Sequence, residues 1–71
     1  MLVGMDTLDI TTGDKARALR LSRGLYQREL AARARISTQT VKNLEVGRYA
    51  TSPATLRRIA RELGVPVTDL R

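Results

Sequence analysis

Apolar residues recur at helical rather than strand spacing along most of the chain, in short runs cut by glycine and proline. Ala16 and Leu19, with the aliphatic stem of Arg23, share one face of a segment from about Asp14 to Arg23. Gly24 then supplies the left-handed position that commonly ends a helix. In QRELAARA, residues 27–34, Leu30, Ala31 and Ala34 fall together at i, i+1 and i+4. Ser52-Pro53 reads as an N-cap followed by proline at the first helical position. Leu56, Ile59, Ala60 and Leu63 form the next stripe, with Arg57, Arg58 and Arg61 facing away. Gly64 caps that helix, and Pro66 can open a last short turn carrying Val67 and Leu70. With a further helix between residues 36 and 47, the pattern predicts five short helices and no central strand, an all-α domain.

Residues 1–12 break this pattern. Leu8, Ile10 and Thr12 alternate with Asp9 and Thr11, which is strand-like, but one short strand is not stable alone. The segment reads as a non-helical N-terminal arm or tail, either disordered or pairing with a partner, and residues 13–71 as the domain. Met5 is an alternative start to Met1.

The segment ISTQTVKNLEVG, residues 36–47, is a poor composition for a helix, being rich in small, polar and β-branched side chains. At about 100° per residue from Val41, Leu44 falls at about −60°, Ser37 at about −40° and Glu45 at about +40°. Lys42, Gln39 and Asn43 cluster between about 100° and about 200°, with Thr38 at their edge. The inward stripe is narrow and the opposite face is made of amides and a lysine. Gln and Asn carry paired donor and acceptor groups that match an adenine edge, and Lys donates to guanine or to phosphate. Ser37 is placed as the N-cap. For an isolated helix such a face is more simply a solvated one; the flanking pattern is what favours a reading role.

Composition narrows the function. The chain has 71 residues, enough for one domain, and its only aromatics are Tyr26 and Tyr49, so the core must be aliphatic. It has no cysteine and no histidine, which removes disulfides, most zinc sites, thiol nucleophiles and histidine acid–base chemistry. The serines lack an imidazole to activate them, and the scattered carboxylates make no evident pair. An enzyme is therefore not expected, and neither is a cofactor or metal. No apolar run approaches the roughly 20 residues of a membrane span, and MLVGM lacks the features of a signal sequence. A soluble, cytoplasmic protein is the default. The net charge is +6. Asp6, Asp9 and Asp14 leave residues 1–14 acidic, whereas all thirteen bases fall after them, against Glu29, Glu45, Glu62 and Asp69. A basic body favours a polyanionic partner over a merely solvated arginine surface.

ARALRLSRGLYQRELAARARISTQTVKNLEVGR, followed by TLRRIARELGVPVTDL, resembles the phage-repressor/Cro (lambda-repressor-like) helix-turn-helix domains. The landmarks are Gly24-Leu25, Gln27, Leu30-Ala31, Ile36-Ser37, Val41, Leu44-Glu45, Gly47 and Leu63-Gly64-Val65, in order, over about residues 13–70. The resemblance implies a compact five-helix bundle whose second helix (about 27–34) crosses the DNA backbone. The third, residues 37–45, enters the major groove of double-stranded DNA. It assigns base contacts to Thr38, Gln39, Lys42 and Asn43, and phosphate contacts to Gln27, Thr40, Arg48 and Tyr49. Arg20 and Glu45 fall at positions of an internal ion pair tying the first helix to the third, as Glu45's inward angle also suggests.

Two positions depart from that pattern. Tyr26 stands where Ser or Thr often caps the second helix, which forfeits about 1 kcal/mol. Arg35 stands where the turn usually has a left-handed glycine, so either Arg35 bears that strain or the turn is built another way. The expected function is a sequence-specific DNA-binding transcriptional regulator, homodimeric on a palindromic site. Val67 and Leu70 are the first candidate for the pairing surface and the N-terminal arm is the second. The alternative is an antitoxin or protein-interaction adaptor of the same fold, binding a protein partner through residues 1–12 or the C-terminus.

Overall fold

The computed structural model describes residues 11–71, which form four α-helices and a terminal 3₁₀ turn. They are α1 (Thr12–Ser22), α2 (Gln27–Ala34), α3 (Thr38–Val46), α4 (Pro53–Leu63) and the turn Val67–Leu70. The expected fifth helix is thus a single tight turn. Pro66 has no N–H to give, and the bonds that follow, Asp69 N–H to Pro66 O and Arg71 N–H to Thr68 O, span three residues rather than four.

α1 begins earlier than its apolar spacing suggests. Thr11 is the N-cap: its hydroxyl accepts from the Asp14 N–H at 3.0 Å, and the Asp14 carboxylate accepts from the Thr11 N–H at 3.4 Å. This capping box places Thr12 in the helix rather than in the strand-like arm. The rest of that arm, residues 1–10, lies outside the described residues. The buried face of α1 is Gly13, Ala16 and Arg20. Arg23 is exposed instead of lying on the core, and its Nε–H donates to the Leu63 carbonyl at 2.8 Å, satisfying the C-terminal end of α4.

The core is aliphatic, as the lack of Phe and Trp requires. Leu30, Val41, Ile59, Leu63 and Leu70 are its largest fully buried side chains, and Ala16, Ala31, Ala34 and Ala60 let the helices approach closely between them. α3 packs on α1 and on α2, while α4 and the terminal turn close the opposite side. Leu70 is 0% exposed and Val67 is half-buried against the same core. Of the two residues expected at a C-terminal pairing surface, Leu70 closes the bottom of its own bundle and has no face left for a partner, whereas Val67 keeps part of its surface exposed.

Gly13 marks the closest helix contact. A Cβ on it would sit 2.2 Å from the Leu44 carbonyl oxygen and 2.9 Å from that of Glu45, both backbone. Only glycine lets α1 rest on the end of α3, which fixes the axis of α3 from below. Arg35, between α2 and α3, has φ 60° and ψ 46°. It is the one non-glycine with positive φ among the described residues. The turn is thus left-handed, built with an arginine where glycine costs least.

Candidate nucleic-acid interface

Ser37 starts α3. Its hydroxyl accepts from the Thr40 N–H at 3.0 Å and bonds the Thr40 hydroxyl at 2.8 Å. Val41 and Leu44 are the apolar anchors, buried against α1 and α2, and Glu45 is buried beside them. The rest of the helix is turned outward: Gln39, Lys42 and Val46 lie away from the core, with Thr38 and Asn43 at its margins. α3 thus divides lengthwise into a face that holds it to the domain and a face without structural duties.

Glu45 ties three elements together. Its carboxylate takes two parallel bonds from the Arg20 guanidinium, Nε to Oε2 at 2.7 Å and Nη2 to Oε1 at 2.9 Å. Arg20 Nη1 donates to the Leu25 carbonyl at 2.7 Å, reaching the α1–α2 junction. Gln27 Nε2, at the first residue of α2, donates to the same Glu45 Oε1 at 3.1 Å. The two side chains of the ion pair are only 8% and 2% exposed. The hydrogen bonds that Arg20 donates to the Glu45 carboxylate outweigh the cost of burial and raise the Arg20 pKa above its ordinary value, so the guanidinium stays charged. No buried side-chain polar atom among the described residues lacks a partner. The arrangement aligns the start of α2 with α3.

Two hollows flank α3, one on each side. The first lies between the N-terminal ends of α2 and α3 and is lined by Tyr26, Gln27, Arg28, Thr38 and Lys42. Tyr26 makes no side-chain cap bond, and the Glu29 carboxylate instead accepts the Tyr26 N–H at 2.7 Å. The freed phenol ring lies under the Arg28 guanidinium, 4.7 Å from ring centroid to Cζ, and Tyr26 stays at the surface. The second hollow lies between α3 and the loop to α4, where Thr40, Asn43, Tyr49, Ser52 and Thr55 contribute hydroxyls and an amide. The structure therefore brings Gln27, Thr38 and Lys42 together on one side, and Thr40, Asn43 and Tyr49 on the other. Arg48 is exposed and lines neither hollow; its backbone N–H bonds the Asn43 carbonyl at 3.0 Å.

On the outward face, Gln39 Nε2 donates to Asn43 Oδ1 at 3.0 Å, one helical turn along. The bond orients the Gln39 carboxamide and leaves it an acceptor oxygen and one N–H, while both Asn43 N–H groups remain free. Two residues of this surface escape the sequence reading. Arg28 has only its place beside Gln27 to signal it. Val46 falls at about 140° on the same helical wheel, in the middle of the outward face.

The bases do not all gather here. Arg33, Arg35, Arg58 and Arg61 line a separate cleft with Glu62, between the end of α2 and the outer side of α4, with no residue of α3 in its wall. The net positive charge alone therefore does not single out the face of α3.

Comparison with known proteins bears on the fold. A helix-turn-helix family model matches residues 17–70. The immunity repressor protein of Bacillus phage phi105 is 36% identical over 61 residues, covering 86% of this chain and 42% of the repressor. An uncharacterized HTH-type transcriptional regulator of Methanothermobacter thermautotrophicus is 51% identical over 41 residues, covering 58% of this chain and 59% of that protein. The chain thus spans about half the length of these relatives. Among solved structures, the restriction-modification controller protein C.AhdI of Aeromonas hydrophila superposes with a TM-score of 0.83 at 26% identity, covering 87% of this chain and 94% of its own. The clp gene regulator ClgR of Corynebacterium glutamicum gives 0.78 at 34% identity, covering 83% and 63%. With most of its length matched by the family model, the chain belongs to the helix-turn-helix family, and the relatives it matches include a repressor and transcriptional regulators.

Proposed function

We propose that the domain binds double-stranded DNA sequence-specifically, with α3 in the major groove, and regulates transcription by occupying its operator. The observation that carries this reading is the division of α3. Its polar face makes no contact that the fold needs, and it is bracketed by two donor-bearing hollows, as a helix lying between the two phosphate strands of a groove requires. Gln39, Asn43, Lys42 and Thr38 then face base edges. Gln39 keeps the acceptor and donor that an adenine edge needs, and Lys42 donates to guanine or a nearby phosphate.

Gln27, Arg28 and the first amides of α2 seat one phosphate strand, and Thr40, Tyr49 and Arg48 meet the other. Gln27 keeps one N–H for this after bonding Glu45. A helix of nine residues reads few base pairs, so two copies on a palindrome are the economical way to operator affinity. The repressor and regulator relatives fit this reading, as does a cytoplasmic site of action; no helix among the described residues is long and apolar enough to cross a membrane.

Selection from a random duplex pool, followed by sequencing, tests the proposal. The expected result is a consensus with two inverted half-sites centred about one helical turn apart. Equal affinity for selected and unselected DNA would sink the claim of specificity.

A further inference from the structure

We infer that Val46 is a specificity-determining residue that reads the methyl group of a thymine, an assignment that rests on α3 lying in the major groove. Val46 is 70% exposed, the most exposed of the large hydrophobic residues among those described. Its place on the helix is what matters. With Val41 at zero, Gln39 falls at about 160° and Val46 at about 140°. Lys42, at about 100°, and Asn43, at about 200°, lie on either side. A lone aliphatic side chain thus occupies the midline of a surface otherwise made of amides and a lysine.

The fold gives no reason for it. Val46 is the last residue of α3 and is absent from the core. Valine is also a weaker helix former than alanine or arginine, either of which an exposed last turn accepts at no packing cost.

Chemistry limits what such a side chain can recognise. It has no donor for a phosphate, and pressing it against polar base edges strips their water without replacement. The thymine C5-methyl is the one methyl that the major-groove edges of the four base pairs present. Contact with it removes two apolar surfaces from water and discriminates against cytosine at that place. Gln39 and Val46 are seven residues apart, about 10 Å along the helix or roughly three base-pair steps. The thymine therefore lies two to three pairs from the one Gln39 reads.

The test uses the operator obtained by selection with the unmodified protein. Each thymine is replaced singly by uracil, which removes only the methyl, and affinity is measured for the unmodified protein, Val46→Ala and the near-isosteric Val46→Thr. Neither substitution touches the core, so both variants fold, and their melting curves check it. One thymine per half-site is expected at which uracil weakens the unmodified protein about fourfold, the equivalent of one buried methyl. Val46→Ala should show no loss at that position and the same losses as the unmodified protein at every other. Val46→Thr, which keeps one methyl, should retain part of the loss there. A consensus with no such thymine overturns the assignment while leaving DNA reading intact. A pool that yields no consensus overturns the DNA reading, and the assignment with it.

Discussion

Replacing Glu45 by Gln removes one charge from the buried pair and almost no volume. The new amide must turn an N–H toward the Arg20 guanidinium, which has no acceptor, so at most one of the two parallel bonds at 2.7 and 2.9 Å survives. Arg20, 6% exposed, is left as an uncompensated charge in the interior. Breaking a buried pair by removing one partner costs about 3–5 kcal/mol. At about 0.05–0.15 kcal/mol per residue, a domain of this length has roughly 4–11 kcal/mol in all. The substitution thus takes roughly a quarter or more of the total and should lower Tm by at least about 12 °C. Arg20→Met should cost a similar amount, since it strands the carboxylate with Gln27 and deprives the Leu25 carbonyl of its donor. The double variant Arg20→Met, Glu45→Leu leaves no buried charge and should recover most of the loss. Urea unfolding followed by circular dichroism, with Glu45→Leu added to complete the cycle, gives the coupling energy. Additive single effects, within about 0.5 kcal/mol, would refute the pair as a unit. So would a Glu45→Gln protein of unchanged Tm that simply binds DNA more tightly, because Glu45 would then be acting as a repulsive charge at the DNA surface.

Arg35→Gly relieves a left-handed residue worth about 1–2 kcal/mol but adds about 0.5–1 kcal/mol of unfolded-state entropy. A Tm rise of a few degrees is expected in calorimetry, and a fall would contradict the strain. Gly13→Ala drives a Cβ into the Leu44 carbonyl and should cost about 1–3 kcal/mol in the same unfolding assay, where an ordinary helical glycine would gain from alanine. Gln39→Ala should lose about 1–3 kcal/mol of discrimination at one base pair of the selected operator, seen by repeating the selection. Arg48→Ala should weaken all sequences alike and reduce the salt dependence of binding by about one counterion, read from affinity against salt concentration.

The helices and the core are legible in the sequence because their signals are local and periodic: Leu30, Ala31 and Ala34, or Leu56, Ile59, Ala60 and Leu63, can only be one face of a helix. The start of α1 is less so, since the apolar stripe begins at Ala16 while the capping box sits upstream of it at Thr11 and Asp14. Leu70 misleads for a different reason. A terminal leucine reads alike whether it meets a partner or folds back, and only the packing of the last turn on α1 and α4 decides. For the interface, the helical wheel puts Thr38, Gln39, Lys42 and Asn43 on the face turned from the core. It does not show that Gln27 shares Glu45 with Arg20, because that contact joins residues 18 apart in sequence. Spacing alone assigns Arg23 to the core, whereas its guanidinium reaches a carbonyl 40 residues away.

The split of α3 has an evolutionary consequence. Gln39, Lys42, Asn43 and Val46 have no partners in the core, so each can be exchanged singly with little effect on folding. On the proposed reading of α3 as the recognition helix, operator preference can drift by single steps through a series of stable proteins, and a duplicated copy can acquire a new target without first being re-engineered. Arg20 and Glu45 face the opposite constraint. Either one changed alone passes through a poorly folded intermediate, so lineages that part in their targets should keep the pair together or lose it together.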